Sequence, residues 1–89
     1  MIFENALKVL KEGGCVARTC WMNTHIRQIN GTIRYISKDF RQPLNGGNGK
    51  YVPVVNIHTD QVIKLDSLLA TDWIQVFPDY KLEDVVILD

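Results

Sequence analysis

The chain has 89 residues, of which 46% are hydrophobic and 22% are charged. These values are typical of one small globular domain and exclude an intrinsically disordered chain. Ten basic residues balance ten acidic residues, so the protein has no overall charge that would attract DNA, RNA or an anionic membrane. Any site for an anionic ligand must therefore be built from a local group of side chains.

The sequence also indicates where the protein works. No apolar run approaches the ~20 residues of a transmembrane helix, and Met1–Asn5 lacks the basic and apolar regions of a signal peptide. We therefore expect an intracellular protein whose cysteines stay reduced. The spacing of Cys15 and Cys20 fits no common zinc motif. We expect them to be small hydrophobic or strand residues rather than metal ligands or redox groups, and we expect no cofactor.

A short helix is predicted over residues 3–12. Four apolar residues recur at helical spacing and form one stripe: Phe3, Ala6, Leu7 and Leu10. The pair Gly13-Gly14 ends the helix, because glycine accepts the left-handed geometry of a C-terminal cap. A helix this short is marginal alone, so we expect it to pack on a sheet whose first strand is Cys15–Cys20.

A β-hairpin is the clearest local signal in the chain. Residues 25–29 and 32–36 flank Asn30-Gly31, the preferred two-residue turn because both positions tolerate a positive φ. Such a turn fixes the register and places Arg27 opposite Arg34. Strand alternation puts both arginines on one face with Ile29 and Thr32, and it puts four other residues on the opposite face: Ile26, Gln28, Ile33 and Tyr35.

The second half of the chain predicts a loop and two further strands. Residues 39–50 contain an Asn- and Gly-rich run and are expected to form a flexible surface loop. Tyr51–Ile57 is a predicted strand, and Pro53 indicates an edge position because proline cannot donate to a strand ladder. Trp73–Phe77 alternates as a last core strand that Pro78 ends.

The C-terminal tail is acidic but contains the apolar run Val85–Leu88. A solvated tail would not need these residues, so we expect the tail to dock on this chain or on a partner. We predict a single domain over residues 1–89, with its core at about 3–77 and a C-terminal extension over 78–89. The predicted fold is α+β: a short N-terminal helix packed on a twisted, mostly antiparallel sheet, assembled as a homo-oligomer.

The pair Arg27 and Arg34 is a candidate anion site. Like charges directly opposite each other destabilise a sheet, and a bound phosphate or pyrophosphate would offset the repulsion through bidentate contacts. Two simpler interpretations stay open. The two side chains can splay into water, or they can form salt bridges with carboxylates elsewhere in the protein.

Both tryptophans lie at predicted element boundaries, and a tryptophan ring offers a flat face to a nucleobase. Trp21 follows a strand and has the polar neighbours Arg18 and Asn23, whereas Trp73 begins a strand. The alternative is that both rings fill a small core.

Catalytic motifs are missing from the sequence. It contains no Gly-x-Ser-x-Gly, no His-Glu-x-x-His, no phosphate-loop motif and no recognisable pair of catalytic carboxylates. A Cys-His nucleophile pair is conceivable from the two cysteines, His25 and His58, but residue types alone do not establish one. We therefore do not expect an enzyme.

Three motifs, in order, resemble a known family. They are Phe-x-x-Ala-Leu-x-x-Leu-x-x-Gly at Phe3–Gly13, Val-x-Arg-x-x-Trp at Val16–Trp21, and Leu-Leu-Ala-x-Asp-Trp at Leu68–Trp73. Together they look like the short phage proteins of the second Thoeris anti-defence family, over roughly residues 3 to 77. The chain differs from that pattern where Ile63–Leu65 replaces a frequent Pro-Trp, and in its longer tail.

The resemblance implies a function as a sponge. Members of that family bind the cyclic ADP-ribose-type signal that a bacterial TIR-domain enzyme makes after infection, and they hold it without cleaving it in the cytoplasm of the infected host. They are homotetramers with pockets between subunits, and some also bind cyclic oligonucleotide signals at a separate site.

The ligand chemistry then selects candidate residues from the sequence. Aromatic faces suit the adenine, arginines suit the phosphates, and amide or carboxylate groups suit the sugars. We expect the ligand-binding residues to be Trp21 for stacking, Arg18, Arg27 and Arg34 for the phosphates, and Asn23 and Asp72 for polar contacts, together with Trp73. Asp72 can instead brace its own turn. The competing hypotheses are an inhibitor that binds a host defence protein and an enzyme that degrades the signal.

Overall fold

The computed structural model describes residues 1–44, 49–56 and 62–88. It is an α+β fold in which a short N-terminal helix packs on an antiparallel sheet, as predicted. The helices are α1 (Phe3–Lys11) and α2 (Leu65–Leu68), with one 3-10 turn at Leu82–Asp84. The strands are β1 (Cys15–Arg18), β2 (Thr24–Ile29), β3 (Thr32–Ser37), β4 (Arg41–Pro43), β5 (Tyr51–Asn56), β6 (Trp73–Val76) and β7 (Val86–Leu88). No helix in the described ranges is both long and apolar enough to cross a membrane.

The main sheet has four antiparallel strands in the order β3-β2-β1-β6. Helix α1 packs on one of its faces, because the apolar stripe of the helix needs a buried partner. The resulting core cluster consists of Ala6, Leu10, Val16, Ile26 and Trp73. Leu7, which the pattern placed on the stripe, lies at its edge and is partly exposed.

The hairpin of β2 and β3 confirms the predicted turn and register. Asn30 has a φ of 53° and Gly31 a φ of 82°, which is the positive-φ pair that a two-residue hairpin turn requires. Arg27 is paired with Arg34, and Ile26 with Tyr35. Both faces of this hairpin are covered, since Ile26 faces α1 while Ile29 belongs to a second core cluster.

A second sheet, in the order β4-β5-β7, covers the other face of the main sheet. Its strands β4 and β5 are antiparallel, whereas β5 and β7 are parallel. The layer between the sheets is a small core of Ile29, Ile36, Val55 and Val85, with Tyr80 packed against it. The molecule therefore has three layers: the helix, the main sheet and the second sheet.

Two predictions for the middle of the chain were wrong. Arg41–Pro43 forms strand β4 rather than part of a loop, while residues 45–48 and Ile57 lie outside the described residues. Pro53 was expected on an edge strand, but β5 is the central strand of its sheet. The nitrogen of Val54 donates to Phe40 on the β4 side, so the nitrogen of Pro53 faces the β7 side. Pairing with β7 begins only at Val54, so the sheet needs no backbone donor at Pro53.

The C-terminal tail docks on this chain, which selects one of the two alternatives that the sequence left open. Strand β7 adds to β5, and Val85 is buried in the second core cluster. The hydrophobic core therefore extends beyond residue 77, and the tail is an integral part of the second sheet.

Candidate functional site

A cleft of about 380 Å³ opens between the two sheets. This volume lies within the range of about 300–1,000 Å³ that small-molecule sites occupy. Its floor comes from the inter-sheet faces of the main sheet, and its rim comes from the segment between β1 and β2, from β4 and β5, and from the segment that follows β6. The cleft therefore combines residues that are distant in sequence.

Trp21 is half-buried and is one of the residues that line the cleft. Its ring packs edge-on against Trp73 at a centroid distance of 5.2 Å and is tilted against Tyr35 at 5.6 Å. Trp21 also borders a second, more open cavity of about 370 Å³ that Lys64 and Val62 help to line. The two contacts hold the indole in place, which lowers the entropy cost of stacking a ligand on it.

Trp73 is a core residue, and its ring contacts the ring of Trp21. It is 0% exposed, and its indole nitrogen donates to the carbonyl of Ser67 at 2.8 Å. The structure gives it no surface with which to contact a ligand in the cleft. Of the two interpretations open for the tryptophans, core filling fits Trp73, whereas Trp21 faces a cavity.

Arg18 and Asp72 form a fixed ion pair beside the cleft. The Nε of Arg18 donates to Oδ1 of Asp72 at 3.0 Å, and the hydroxyl of Thr19 donates to Oδ2 at 2.9 Å. These two hydrogen bonds hold the pKa of Asp72 below its usual value, and the bond from Arg18 has the larger effect. Arg18 lines the cleft but Asp72 does not, so Asp72 orients Arg18 and braces its own turn.

Asn23 is exposed and lines the cleft together with two cations that sequence reasoning missed, Lys38 and Arg41. The backbone N–H of Lys38 donates to the backbone carbonyl of Asn23 at 2.9 Å, and the guanidinium of Arg41 lies 5.7 Å from the centroid of the Tyr51 ring. Neither cation forms an ion pair with a carboxylate in the described part of the chain. With Asp79 as the lining carboxylate and Arg18 already paired, the cleft favours an anion.

Arg27 and Arg34 do not border this cleft. Arg27 is only 7% exposed, its guanidinium carbon lies 5.8 Å from the centroid of the Tyr80 ring, and its Nη2 donates to the carbonyl of Gly13 at 3.3 Å. Arg34 is half-buried on the neighbouring strand. The predicted pairing of Arg27 with Arg34 is present, but neither residue lines the cleft.

Between Arg27 and the cleft lies a stacked pair of rings. His25 Nε2 and the Tyr80 hydroxyl are 2.6 Å apart, and the ring centroids are 5.7 Å apart. Burial, aided by the charges of Arg27 and Lys38, lowers the pKa of His25 to about 4, so the imidazole is neutral at pH 7. Burial also raises the pKa of Tyr80 to about 12 and the pKa of the Cys15 thiol.

No known protein family, curated protein or solved structure matches the chain. The resemblance to the second Thoeris anti-defence family therefore depends on the three sequence motifs alone.

Proposed function

We propose that the protein binds a cyclic ADP-ribose-type nucleotide, such as glyco-cyclic ADP-ribose, and sequesters it without cleaving it. In this proposal it acts as a phage sponge of the second Thoeris anti-defence family, in the cytoplasm of an infected bacterium whose TIR-domain enzyme makes the signal. The observation that carries the proposal is a cleft lined by Trp21 and by the cations Lys38 and Arg41, with the Trp21 ring held by Trp73 and Tyr35.

The chemistry of the cleft matches the parts of such a ligand. The adenine would stack on Trp21, because base–aromatic stacking needs only an exposed π-face. The phosphates would bind Lys38 and Arg41, with Arg18 already oriented by Asp72. Asn23 and Thr19, both exposed at the rim, would serve the sugar hydroxyls.

The states of Cys15 and His25 support binding without chemistry. A nucleophilic cysteine needs a lowered pKa, whereas burial raises the pKa of Cys15. The imidazole of His25 is bonded to Tyr80 through Nε2, and its lowered pKa makes it a poor proton acceptor at pH 7. We therefore propose that the bound nucleotide is released chemically unchanged.

We further propose that the active form is a homotetramer whose subunits close the clefts. Met22 and Phe77, which line the cleft, are 90% and 83% exposed in the single chain. A ligand of roughly 35 non-hydrogen atoms, at about 0.3 kcal/mol per atom, binds with on the order of −10 kcal/mol, or tens of nanomolar, when most of it is buried. A second subunit over this rim would supply the missing burial.

The experiment that tests this function is a calorimetric titration with purified glyco-cyclic ADP-ribose, followed by mass analysis of the ligand. The wild-type protein should bind it and return it intact, while Trp21→Ala should bind at least tenfold more weakly. A nucleotide that is not bound, or that comes back altered, would contradict the proposal. The second of these results would favour a signal-degrading enzyme.

A second candidate function is inhibition of a host defence protein through a sheet edge. Strand β6 is at the end of the main sheet, carries no charged residue, and exposes part of Ile74. Met1 takes up the outward backbone groups of Trp73, and the rest of this edge can pair with a strand of another chain. A stable complex with a host protein that Ile74→Lys abolishes, together with no affinity for the nucleotide, would favour this function over the sponge.

A further inference from the structure

Arg27 is a buried cation whose set of partners is incomplete. It is 7% exposed, and its Nε is buried without a hydrogen-bond partner among the described residues. Within those residues it also forms no ion pair with a carboxylate. Burying a charged group is costly unless it is paired, so the guanidinium retains the capacity to bind an anion.

The Tyr80 side chain contacts both Arg27 and His25. Its hydroxyl is 2.6 Å from His25 Nε2, and the Arg27 guanidinium lies against the same ring. Tyr80 and His25 both line the cleft, whereas Arg27 does not. The phenol thus stands between the cleft and the buried cation.

The segment that carries Tyr80 is held by the Tyr80 side chain, which packs against the second core cluster, rather than by its backbone. Residues 77–80 follow the last paired residue of β6, Val76, and belong to no helix or strand. Their backbone groups make no hydrogen bonds with other backbone groups in the described part of the chain. Moving this segment therefore breaks side-chain contacts of Tyr80 but no sheet hydrogen bonds, which is typical of segments that open locally.

We propose that Arg27 forms a deep phosphate site at the base of the cleft and that Tyr80 is its gate. When Tyr80 swings outward, a phosphate oxygen takes the place of its hydroxyl, between the Nε of Arg27 and Nε2 of His25. The existence of the anion site is independent of the proposed function, whereas its assignment to a phosphate of the cyclic nucleotide rests on that function.

The test is a calorimetric titration with inorganic pyrophosphate on four proteins: wild type, Tyr80→Ala, Tyr80→Ala with Arg27→Gln, and Tyr80→Ala with Arg34→Gln. Removing the gate should raise the affinity about tenfold, the contribution of one hydrogen bond to a charged group. Arg27→Gln should abolish the gain. Arg34→Gln is the matched control, because it removes the same charge from the paired position on the same face and should leave the gain intact.

Two results would overturn the deep site: no gain in Tyr80→Ala, or a gain that persists without Arg27. If the alanine variant does not fold, Tyr80→Phe keeps the ring and removes only the hydroxyl, and its affinity for pyrophosphate should rise about threefold, part of one hydrogen bond's contribution. A nuclear magnetic resonance titration of the wild-type protein with pyrophosphate tests the same site and needs no substitution. The Nε–H signal of Arg27 should shift as pyrophosphate binds, and an unmoved signal at saturating pyrophosphate would contradict the proposal.

The nucleotide separates this inference from the proposed function. If glyco-cyclic ADP-ribose binds with equal affinity to wild type and Arg27→Gln, the sponge stands and the deep phosphate site is wrong. If the nucleotide does not bind but pyrophosphate shows the Arg27-dependent gain, the anion site stands and the sponge is wrong.

Discussion

Trp21 packs edge-on against Trp73, with the ring centroids 5.2 Å apart and the ring planes at 83°. We expect Trp21 to serve ligand binding and Trp73 to serve stability. Trp73 is fully buried and donates its indole N–H to the Ser67 carbonyl, while Trp21 is half-buried and lines the cleft.

Substitution of each tryptophan should therefore have a different effect. Trp73→Ala should lower the free energy of unfolding by about 3–5 kcal/mol, because it leaves a large cavity in the core. Trp21→Ala should weaken nucleotide binding by about 1–3 kcal/mol with a smaller loss of stability. Urea denaturation and calorimetry of both variants check this division. Equal losses of stability in the two variants would contradict it.

The cations Lys38 and Arg41 should determine the salt dependence of binding. Lys38→Gln or Arg41→Gln should weaken nucleotide binding on the order of tenfold and reduce its sensitivity to salt, because each removes a charge that faces the ligand. Lys8→Gln is the matched control, since Lys8 is exposed on α1 and undergoes the same charge change. A salt dependence that all three variants share would show that the phosphates bind elsewhere.

His25 should make the protein less stable in mild acid. Its pKa is about 4 in the folded protein and 6.5 ordinarily, so the unfolded chain binds more protons than the folded chain between these values. Stability therefore falls as pH decreases from 6.5 towards 4, by up to about 3 kcal/mol.

The check is urea denaturation of wild type and His25→Phe at several pH values. The variant keeps a ring against Tyr80 but does not titrate, so it should lose much less stability over this interval. The second histidine, His58, is common to both proteins and cancels in the difference. Parallel pH profiles for the two proteins would contradict the lowered pKa.

Asp72 should also make the protein less stable as the pH falls, but at a lower pH than His25. Its pKa lies below the ordinary 3.8 because Arg18 and Thr19 donate to it, so its stabilisation is complete above that value and is lost as pH falls through the folded pKa. The stability difference between wild type and Asp72→Asn should therefore be constant near neutrality and should shrink below about pH 4. Guanidinium denaturation at intervals of pH measures this difference.

Local patterns predicted the helix and the hairpin because their signals are short in sequence. The Asn30-Gly31 turn fixes the register, and the same register extended by one step beyond Thr24 and Ser37 brings Asn23 to Lys38. The position of Lys38 next to Asn23 could therefore have been predicted from the sequence. Arg41 was not, because a three-residue strand between loop signals has too little pattern to identify.

Contacts between distant segments could not be predicted from such patterns. His25 and Tyr80 are 55 positions apart, and their contact depends on how the tail passes from β6 of the main sheet to β7 of the second sheet. The burial of Arg27 has the same origin, since the residue alternates correctly on its strand but is covered by Tyr80. Strand alternation assigns a face, but packing between layers decides whether that face meets solvent.

The most direct measurement of the proposed function is a bind, wash and heat-release experiment. The wild-type protein is incubated with the nucleotide extract of TIR-activated cells, desalted and denatured, and the released material is identified by mass, with Trp21→Ala treated in parallel. We expect an intact cyclic ADP-ribose isomer from the wild type and much less from the variant; any cyclic oligonucleotide in the released material would reveal the second ligand class. A signal that remains unbound and unaltered in the flow-through of the wild-type protein would contradict sequestration.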